Sequence, residues 1–360
     1  MPVDVVGNAS STTVPISSTI PTRAGYIFKG WCSTVPTEGG SFCPGTTYQP
    51  ASNYNLTSQS NDLTLYAMWG GSFDQAYSNA GKTKVTVGSN SYYTLQDMNQ
   101  EICNAVSQDE TTLVVDTRDN QLYHIGKLKD NHCWTLDNLA LDLINTDITN
   151  LKGKTNASDI ALEYLKGIRT GTTTDQYPTA GVGTFTSISE YSIPRISLAD
   201  KDVVPQGSDP LASEALANNW KVGGYYNYCA ASAGTYCWGN GTNPAGSPTT
   251  DPNSGTLLDV QEDICPLGWR MPTSAADGEY QALYSAYSSD YTDFRRVLST
   301  PLSGYYGNGS ARAQSEAGFF WTSTWANTSI MKNLLINTSN ITPGAGNSRN
   351  IGYSVRCIVK

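Results

Sequence analysis

The pattern of hydrophobic and polar positions divides the chain into two parts of different character. Near the N-terminus, IPTRAGYIFKGWC and NDLTLYAMW each predict a strand, and Leu63, Leu65 and Ala67 of the second fall on one face. Residues 71–94 are rich in Gly, Ser and Asn and predict a linker that holds one short strand, KTKVTV. The pattern therefore predicts a small β module at 1–70 and a separate domain over 95–360.

Helical and strand patterns alternate at the start of the second part. Four apolar side chains, from Leu95 to Val106, lie at helical spacing. The stretch TTLVVDTRDNQLYHIGKLKDNHCWTLDNLALDL predicts strand, turn, strand, turn, strand, because RDN and KDN supply turn residues. NASDIALEYLKGI and GEYQALYSAYSS predict further helices, the first with a cap at Asn156 or Ser158. Residues 170–256 are rich in Gly, Pro, Thr and Tyr and predict long loops before the short aromatic strands at the end.

The composition narrows the class of protein. Charged residues make up 15% of the chain, below the usual quarter or so, and small polar residues and Tyr replace them, which is typical of loop-rich extracellular proteins. A net charge of −9 disfavours nucleic acid as a partner, because an acidic surface repels phosphates. No apolar run is long enough to predict a transmembrane segment in this fragment. The opening residues lack a signal-peptide pattern and are typical of a mature fragment.

Eight cysteines, an even number, predict disulfides formed in an oxidising compartment, at the cell surface or outside the cell. No two of them form a Cys-x-x-Cys pair, and the chain has only two histidines, His124 and His132. This pattern disfavours a zinc site, and we predict no metal. Short separations in the sequence predict two of the bridges, Cys32–Cys43 and Cys229–Cys237.

The N-terminal part carries a recognisable set of residues. They are Pro21, Arg23, Gly25–Tyr26, Phe28, Gly30–Trp31 and the closing LTLYAMW. Together they resemble the Listeria–Bacteroides repeat of bacterial surface proteins, over roughly residues 10–70. The resemblance implies a small β-grasp-like module that serves as a stalk, and the usual tandem arrangement of such modules implies a longer parent protein. Cys32 and Cys43 lie in an insertion between the two halves of the motif, which suggests a local staple.

Four motifs follow one another in the second part: VVDTRDNQLYHIGKLKDNHCWTLDNL, ICPLGWRMPTS, GFFWTSTW and GYSVRC. In this order they resemble the Fibrobacter succinogenes major paralogous domain, a bacterial surface-protein module, over roughly residues 97–360. The resemblance implies a C-type-lectin-like fold with two helices, a small antiparallel sheet and long loops, so the whole chain is expected to be α+β. In such a fold the last strand returns to the helix region, which implies a Cys265–Cys357 bridge and leaves Cys103 and Cys133 as a pair.

Three kinds of chemistry are disfavoured by motifs that the sequence lacks. The Glu-Pro-Asn or Gln-Pro-Asp triplet of calcium-dependent lectins and the Trp-Asn-Asp that follows it are absent, and DTRDN has the spacing of a turn rather than of an EF-hand. Formylglycine-generating oxidases share the broad fold but need a reactive cysteine pair, and four bridges would leave no cysteine over. Gly-x-Ser-x-Gly and His-Glu-x-x-His, the hydrolase motifs, are also absent. We therefore predict no enzymatic activity and no cofactor.

The C-terminal stretch favours a binding module. From Phe319 to Cys357, 16 of 39 residues are Asn, Ser or Thr, and aromatic and apolar segments flank them. An aromatic anchor among small polar side chains is typical of recognition surfaces. We expect one exposed ligand-binding surface with the following members: Tyr305, Tyr306, Trp325, Asn327, Ser329, Asn333, Asn347, Arg349 and Asn350.

Strand alternation in the middle of this stretch predicts which side chains face outwards. Leu334 and Ile336 should point to the core, and Asn333, Leu335 and Asn337 should point to solvent. The mixture of Asn, Ser, Thr, Ile and Gly also resembles the variable proteins of diversity-generating retroelements, in which replaced adenines change Asn codons. C-type-lectin-like domains are the usual carriers of that variation. A solvated hairpin of ordinary surface residues would have the same composition.

These observations predict an adhesin-like, non-enzymatic protein of the bacterial cell surface or extracellular space. Its C-type-lectin-like head would bind an unknown protein or glycan, with its C-terminal loops diversified by a retroelement. The alternative from a different class is a structural surface-layer or filament component. A formylglycine-generating-type oxidase is the third reading.

Overall fold

The structure, a computed structural model, describes residues 13–23, 26–36, 43–55, 63–163, 165, 196–198, 201–204, 207, 209–235, 260–274, 277–307, 310–326 and 330–360. Within these ranges lie eight short helices and nineteen strands in small antiparallel sheets, so the predicted α+β class is confirmed. The chain forms two units. The first contains residues 1–83, 99–112 and 126–132, and the second contains residues 84–98, 113–125 and 133–360.

The first unit begins with five strands. They are β1 (Thr13–Pro15), β2 (Ile27–Cys32), β3 (Thr47–Tyr48), β4 (Asn53–Asn55) and β5 (Tyr66–Gly70). Strand β2 lies between β3 and β5, and β1 pairs with β4. Phe28 contacts Trp31 and Trp69 edge-on, with ring centroids 5.0 and 5.7 Å away, so three aromatic residues of the repeat-like motif pack together. The predicted Cys32–Cys43 bridge is present.

The segment that the sequence predicted as a linker contains regular structure. Helix α1 (Phe73–Asn79) begins at Ser72, whose side chain accepts a hydrogen bond from the Gln75 amide. It buries Phe73 and Tyr77. Further along the segment, the short strand predicted from KTKVTV is present as β6 (Val85–Val87), and it pairs with a strand that was not predicted, β7 (Asn90–Tyr92). The sequence did not predict α1, because the helix has too few apolar residues to show a helical period.

The chain next forms a short 3-10 helix (Leu95–Asp97) and helix α2 (Gln100–Ala105). The Thr94 side chain caps the first of these and the Asn99 side chain caps the second. Leu95, Met98, Ile102 and Val106 are all buried, so the helical period predicted their burial correctly. The stretch is divided in two because Asn99, an extended N-cap residue, starts a new helix.

The remaining strands are β8 (Thr111–Val115), β9 (Leu122–Lys127), β10 (Cys133–Thr135), β11 (Ile196–Ser197), β12 (Tyr225–Tyr226), β13 (Trp269–Arg270), β14 (Tyr305–Gly307), β15 (Ser310–Arg312), β16 (Ala317–Trp325), β17 (Ile330–Asn337), β18 (Ile341–Ser348) and β19 (Ile358–Val359). The remaining helices are α3 (Ile148–Leu151), α4 (Asp159–Glu163), α5 (Ala212–Ala217), α6 (Tyr228–Ala231), α7 (Glu279–Ala286) and α8 (Tyr291–Val297). Helices α4 and α7 were predicted, and Ser158 caps α4 through the Ala161 amide. The described parts of 170–256, predicted as loops, hold β11, β12, α5 and α6, so the loop prediction is wrong there.

The largest sheet has five strands in the order β13-β19-β10-β9-β8. The predicted strand, turn, strand, turn, strand series supplies three of them, and Asn120 and Asn131 occupy the turns with positive φ angles of 60° and 66°. The last strand of the chain, β19, lies inside the sheet between β10 and β13. The predicted Cys265–Cys357 bridge is present directly before this strand.

Candidate functional site

The C-terminal stretch forms a three-stranded sheet with β17 between β16 and β18. Directly opposed residues of antiparallel strands share a face, and the pairings place Phe319, Leu335 and Thr342 side by side. Phe319 and Leu335 are partly exposed and Thr342 is exposed, whereas Leu334 and Ile336 on the other face are fully buried. The predicted directions of Leu334, Leu335 and Ile336 are therefore confirmed. We call the row of Phe319, Leu335 and Thr342 the outward face.

Strand β17 buries opposite faces at its two ends. Met331 and Asn333 lie on the same side of the strand as Leu335, yet both are buried, Asn333 with 1% exposure. The pairing of β17 shifts register between Trp321 and Trp325 on one side and between Asn333 and Leu335 on the other. Such shifts increase local twist, which turns the first half of the strand the other way. The prediction that Asn333 faces solvent is therefore wrong.

Three further members of the predicted surface are also buried. Trp325, Arg349 and Asn350 have 4%, 2% and 1% exposure. The end of β16 that carries Trp325 is covered by another segment, because the Ser323 amide donates to the Pro272 carbonyl and the Ser274 amide donates to Thr324 Oγ1. The prediction that Trp325, Arg349 and Asn350 lie on an exposed ligand surface is therefore wrong.

Backbone and side-chain hydrogen bonds hold the turn that carries two of those buried residues. The Arg349 carbonyl accepts from the Tyr228 amide at 2.8 Å, and Asn350 Oδ1 accepts from Ser348 Oγ at 2.7 Å. The turn is therefore part of the packed structure rather than a free loop. The two remaining polar members of the predicted surface, Asn327 and Ser329, lie outside the described residues.

The structure instead brings together a row of aromatic rings that leads from the surface into the core. Tyr305 meets Phe319 edge-on at 5.4 Å, and Phe319 stacks on Tyr353 at 4.9 Å. Tyr353 contacts Trp321 at 4.4 Å, and Trp321 contacts Tyr228 at 5.1 Å. Tyr305 and Phe319 are half-exposed and the other three are buried. We call these five residues the aromatic row.

A polar side chain from β18 joins the aromatic row. Asn347 is half-exposed, and its side chain forms a hydrogen bond with the Tyr353 hydroxyl. Burial raises the pKa of Tyr353 well above its usual value, so this hydroxyl stays neutral. Tyr305 and Asn347, both predicted from sequence, thus meet through Tyr353, which the sequence reasoning missed.

Tyr306 lies on the opposite side of the β14–β15 ribbon from its neighbour Tyr305. Its ring lies 6.0 Å from that of Tyr225, and it packs against a cluster that also includes Val222 and Ala311. Adjacent strand residues point to opposite faces, so these two tyrosines cannot serve one surface in the same way. Of the nine predicted members, Tyr305 and Asn347 therefore remain together.

Basic residues outnumber acidic ones in the segment that forms this site. Residues 305–349 contain Arg312, Lys332 and Arg349 but only one acidic residue, Glu316, although the chain as a whole has a net charge of −9. Lys332 donates to the Gly344 carbonyl at 3.0 Å, and Arg312 is exposed. The segment therefore carries a net charge of +2 in a chain that is otherwise acidic.

Seven cysteines are disulfide-bonded, and Cys237 lies outside the described residues. Cys103, Cys133 and Cys229 are among the seven, so their bonded state agrees with the Cys103–Cys133 and Cys229–Cys237 pairings, which stay predictions. Within the described ranges, no three His, Cys, Asp or Glu side chains are placed to hold a metal ion. The helices in the same ranges are all too short or too polar to cross a membrane.

Comparisons of the chain with protein-family models, with curated proteins and with solved structures return no match. The two family resemblances seen in the sequence therefore stay predictions. What the structure itself establishes is the α+β class, the disulfides and the geometry of the C-terminal sheet.

Proposed function

We propose that this chain is a non-enzymatic ligand-binding protein of the bacterial cell surface or extracellular space, with a C-type-lectin-like head. The observation that carries the proposal is the pair of half-exposed rings of Tyr305 and Phe319 at the surface end of the aromatic row. The disulfides support an oxidising compartment, because such bonds persist mainly outside the cytosol.

The ring pair has the physical properties of a binding anchor. Phe319 is held against buried Tyr353 and Tyr305 is held against Phe319, so neither ring loses much conformational freedom when a ligand arrives. Exposed aromatic area that is already ordered contributes more to affinity than the same area on a mobile loop. Leu335 extends the apolar part, and Thr342 and Asn347 add hydrogen-bonding groups beside it.

The same arrangement supports the proposal that polar positions of the site are diversified. Asn337, Thr342 and Asn347 are all at least partly exposed, and the neighbours Ile336 of Asn337 and Ile341 of Thr342 are buried. Substitution at such positions changes the surface and leaves the core side chains in place. A reverse transcriptase gene beside the coding sequence, with a near-copy of its C-terminal part, would support diversification, and the absence of both would contradict it.

Binding is tested with the biotinylated protein on a glycan array and on an array of bacterial and host surface proteins. We expect saturable binding to at least one class of probe, weakened about tenfold or more by Tyr305→Ser or Phe319→Ser. Tyr306→Ser is the matched control, because Tyr306 is half-exposed on the other side of the same ribbon, and it should bind as the wild type does.

Two outcomes would contradict the proposal. One is the absence of saturable binding on both arrays, and the other is an equal effect of the Tyr305 and Tyr306 substitutions. Light scattering that grows with concentration and time would support the filament alternative instead. All three substitutions are expected to leave folding intact, which circular dichroism would check.

A further inference from the structure

The turn between β8 and β9 contains a buried ion pair. The Arg118 guanidinium donates to both carboxylate oxygens of Asp116, at 2.6 Å from Nη2 to Oδ2 and 3.0 Å from Nε to each oxygen. Neither side chain is exposed. The Arg118 amide and Gln96 Nε2 also donate to Asp116 Oδ1. The Asp116 carboxylate is therefore fully supplied with hydrogen-bond donors.

The same arginine fastens the turn to two distant segments of the second unit. Arg118 Nη1 donates to the Ile264 carbonyl at 2.6 Å and to Thr155 Oγ1 at 3.3 Å. Lys154 Nζ donates to the Thr117 carbonyl at 3.2 Å. The turn is thus attached beside Cys265, which begins the bridge to the last strand.

A second carboxyl group in this turn has no such supply of donors. Asp119 Oδ1 accepts from the Gln121 amide, but Asp119 Oδ2 is buried without a hydrogen-bond partner. Burial and the nearby Asp116 carboxylate raise the pKa of Asp119 to about 7. The Arg118 guanidinium contacts Asp116 directly, and Asp119, next to Arg118 in the sequence, keeps its proton in mildly acidic solution.

The groups that face Asp119 come from three parts of the chain. Asp116 and Arg118 belong to its own turn, Tyr123 comes from β9, and Tyr226 comes from β12. The two tyrosine hydroxyls are occupied elsewhere, since Tyr123 Oη accepts from the Ala140 amide and Tyr226 Oη donates to the Leu141 carbonyl. Burial raises the pKa of both tyrosines well above the usual value, so Arg118 is the group among these that can neutralise an ionised Asp119.

We propose that the turn formed by residues 116–121 is a pH-sensitive latch, closed while Asp119 is protonated and loosened from Thr155 and Ile264 when Asp119 ionises. An ionised Asp119 competes with Asp116 for the Arg118 guanidinium, and Arg118 Nη1 is the group that holds Ile264 and Thr155. The latch is independent of the proposed binding function, because it uses none of the aromatic-row residues.

Linkage gives the direction of the effect. The folded pKa of Asp119 lies above the unfolded value, so the folded state binds more protons between about pH 4 and pH 7. Stability from this group is complete below that window and falls as the pH rises through it. The urea midpoint of the full chain should therefore fall between about pH 5 and pH 8.

The experiment compares urea midpoints of the wild type, Asp119→Asn and Asp202→Asn across that range. Asn keeps the acceptor for the Gln121 amide and carries no charge, so Asp119→Asn should fall less than the wild type. The fall that remains is expected from Asp263, whose pKa burial raises to about 6. Asp202 is an exposed carboxylate in a surface ion pair, and Asp202→Asn should fall as the wild type does. A flat wild-type profile, or an equal fall in Asp119→Asn, would overturn the latch.

Local opening is measured by hydrogen exchange. The Thr117 amide donates to Gln96 Oε1, and the Thr135 amide donates to the Cys357 carbonyl in the central sheet. As the pH rises past about 7, Thr117 should lose protection relative to Thr135 in the same sample. Equal loss at both amides would overturn the latch.

If Asp119→Asn fails to fold, the titration of Asp119 is measured in the wild type by carboxyl carbon NMR. A midpoint near the ordinary value of about 4 would overturn the proposal.

Discussion

Phe319 and Tyr353 stack with ring centroids 4.9 Å apart and ring planes inclined by 17°. Their backbones are also joined, because the Ser354 amide donates to the Phe319 carbonyl and the Ser354 carbonyl accepts from the Trp321 amide. Phe319 is half-exposed and Tyr353 is buried. The stack therefore connects a surface ring of the candidate site to the core through both side chains and main chain.

Tyr353→Phe tests what the Tyr353 hydroxyl contributes apart from its ring. The change keeps the stack on Phe319 and removes the hydrogen bond with Asn347, so unfolding free energy should fall by about 1 kcal/mol. Tyr353→Ala removes the ring contacts as well and should cost about 3 kcal/mol or more. Urea unfolding measures both values. Equal losses would contradict the importance assigned to the ring.

Arg356→Met tests a buried cation that forms no ion pair with a carboxylate among the described residues. Its guanidinium donates to Asn138 Oδ1, to the Thr135 carbonyl and to the Leu298 and Ser299 carbonyls that follow helix α8, where the helix dipole favours a positive charge. Burial lowers the pKa of Arg356 to about 10, which still leaves it charged at neutral pH. We expect a loss of about 3 kcal/mol or more in unfolding free energy, because several buried acceptors lose their donors.

The matched control for that variant is Arg296→Met. Arg296 lies in the last turn of helix α8, directly before the carbonyl groups that Arg356 binds. Arg296 is exposed and pairs with Glu214 and Asp293 at the surface, where ion pairs contribute at most about 1 kcal/mol. Thermal and urea unfolding should therefore separate the two variants clearly. A similar small loss in both would mean that the buried arginine is dispensable for folding.

Removal of the two bridges by Cys→Ala pairs should destabilise the protein by different amounts. The Cys265–Cys357 bridge spans 92 residues and should contribute about 4–5 kcal/mol in the chain-entropy model, whereas Cys32–Cys43 spans 11 and should contribute about 3 kcal/mol. Urea unfolding of the two double variants gives the comparison.

A thiol titration of the denatured, unreduced wild type should find no free thiol. Two or more free thiols per chain would contradict the proposal that the protein is extracellular.

Glu279 should make stability fall in acid. Burial alone would raise its pKa, but hydrogen bonds from Arg270 and Thr273 outweigh that effect and lower the pKa of Glu279 to about 2. The group contributes stability above its ordinary value of about 4.5, and that stability is lost as the pH falls towards 2. Glu279→Gln should cost roughly 1–2 kcal/mol at neutral pH, since the site is partly screened by solvent. Unfolding at pH 6 and pH 3 should show a smaller difference between wild type and variant at pH 3.

Local patterns in the sequence were sufficient to predict several elements of the fold. The helical period placed Leu95 and Val106 in the core, and the turn residues RDN and KDN separated three strands that the structure contains. Asn120 and Asn131 show why this works, because left-handed turn positions favour asparagine whatever the rest of the chain does. Helix α1 was missed, because its own composition resembles a linker and its apolar residues are too few to show a helical period.

The sequence by itself determined the bonded state of the cysteines and the alternation of Leu334, Leu335 and Ile336, because these depend on residue type and on the period of a strand. The α+β class was expected from the resemblance carried by the four motifs of the second part. Tertiary structure alone decided which polar side chains reach solvent. Asn333 and Trp325 are buried against the expectation from alternation, because register shifts twist the sheet and the segment at Pro272 is hydrogen-bonded to the end of β16. Tyr305 and Asn347 meet only through Tyr353, a contact between three separate strands or segments that no local pattern can encode.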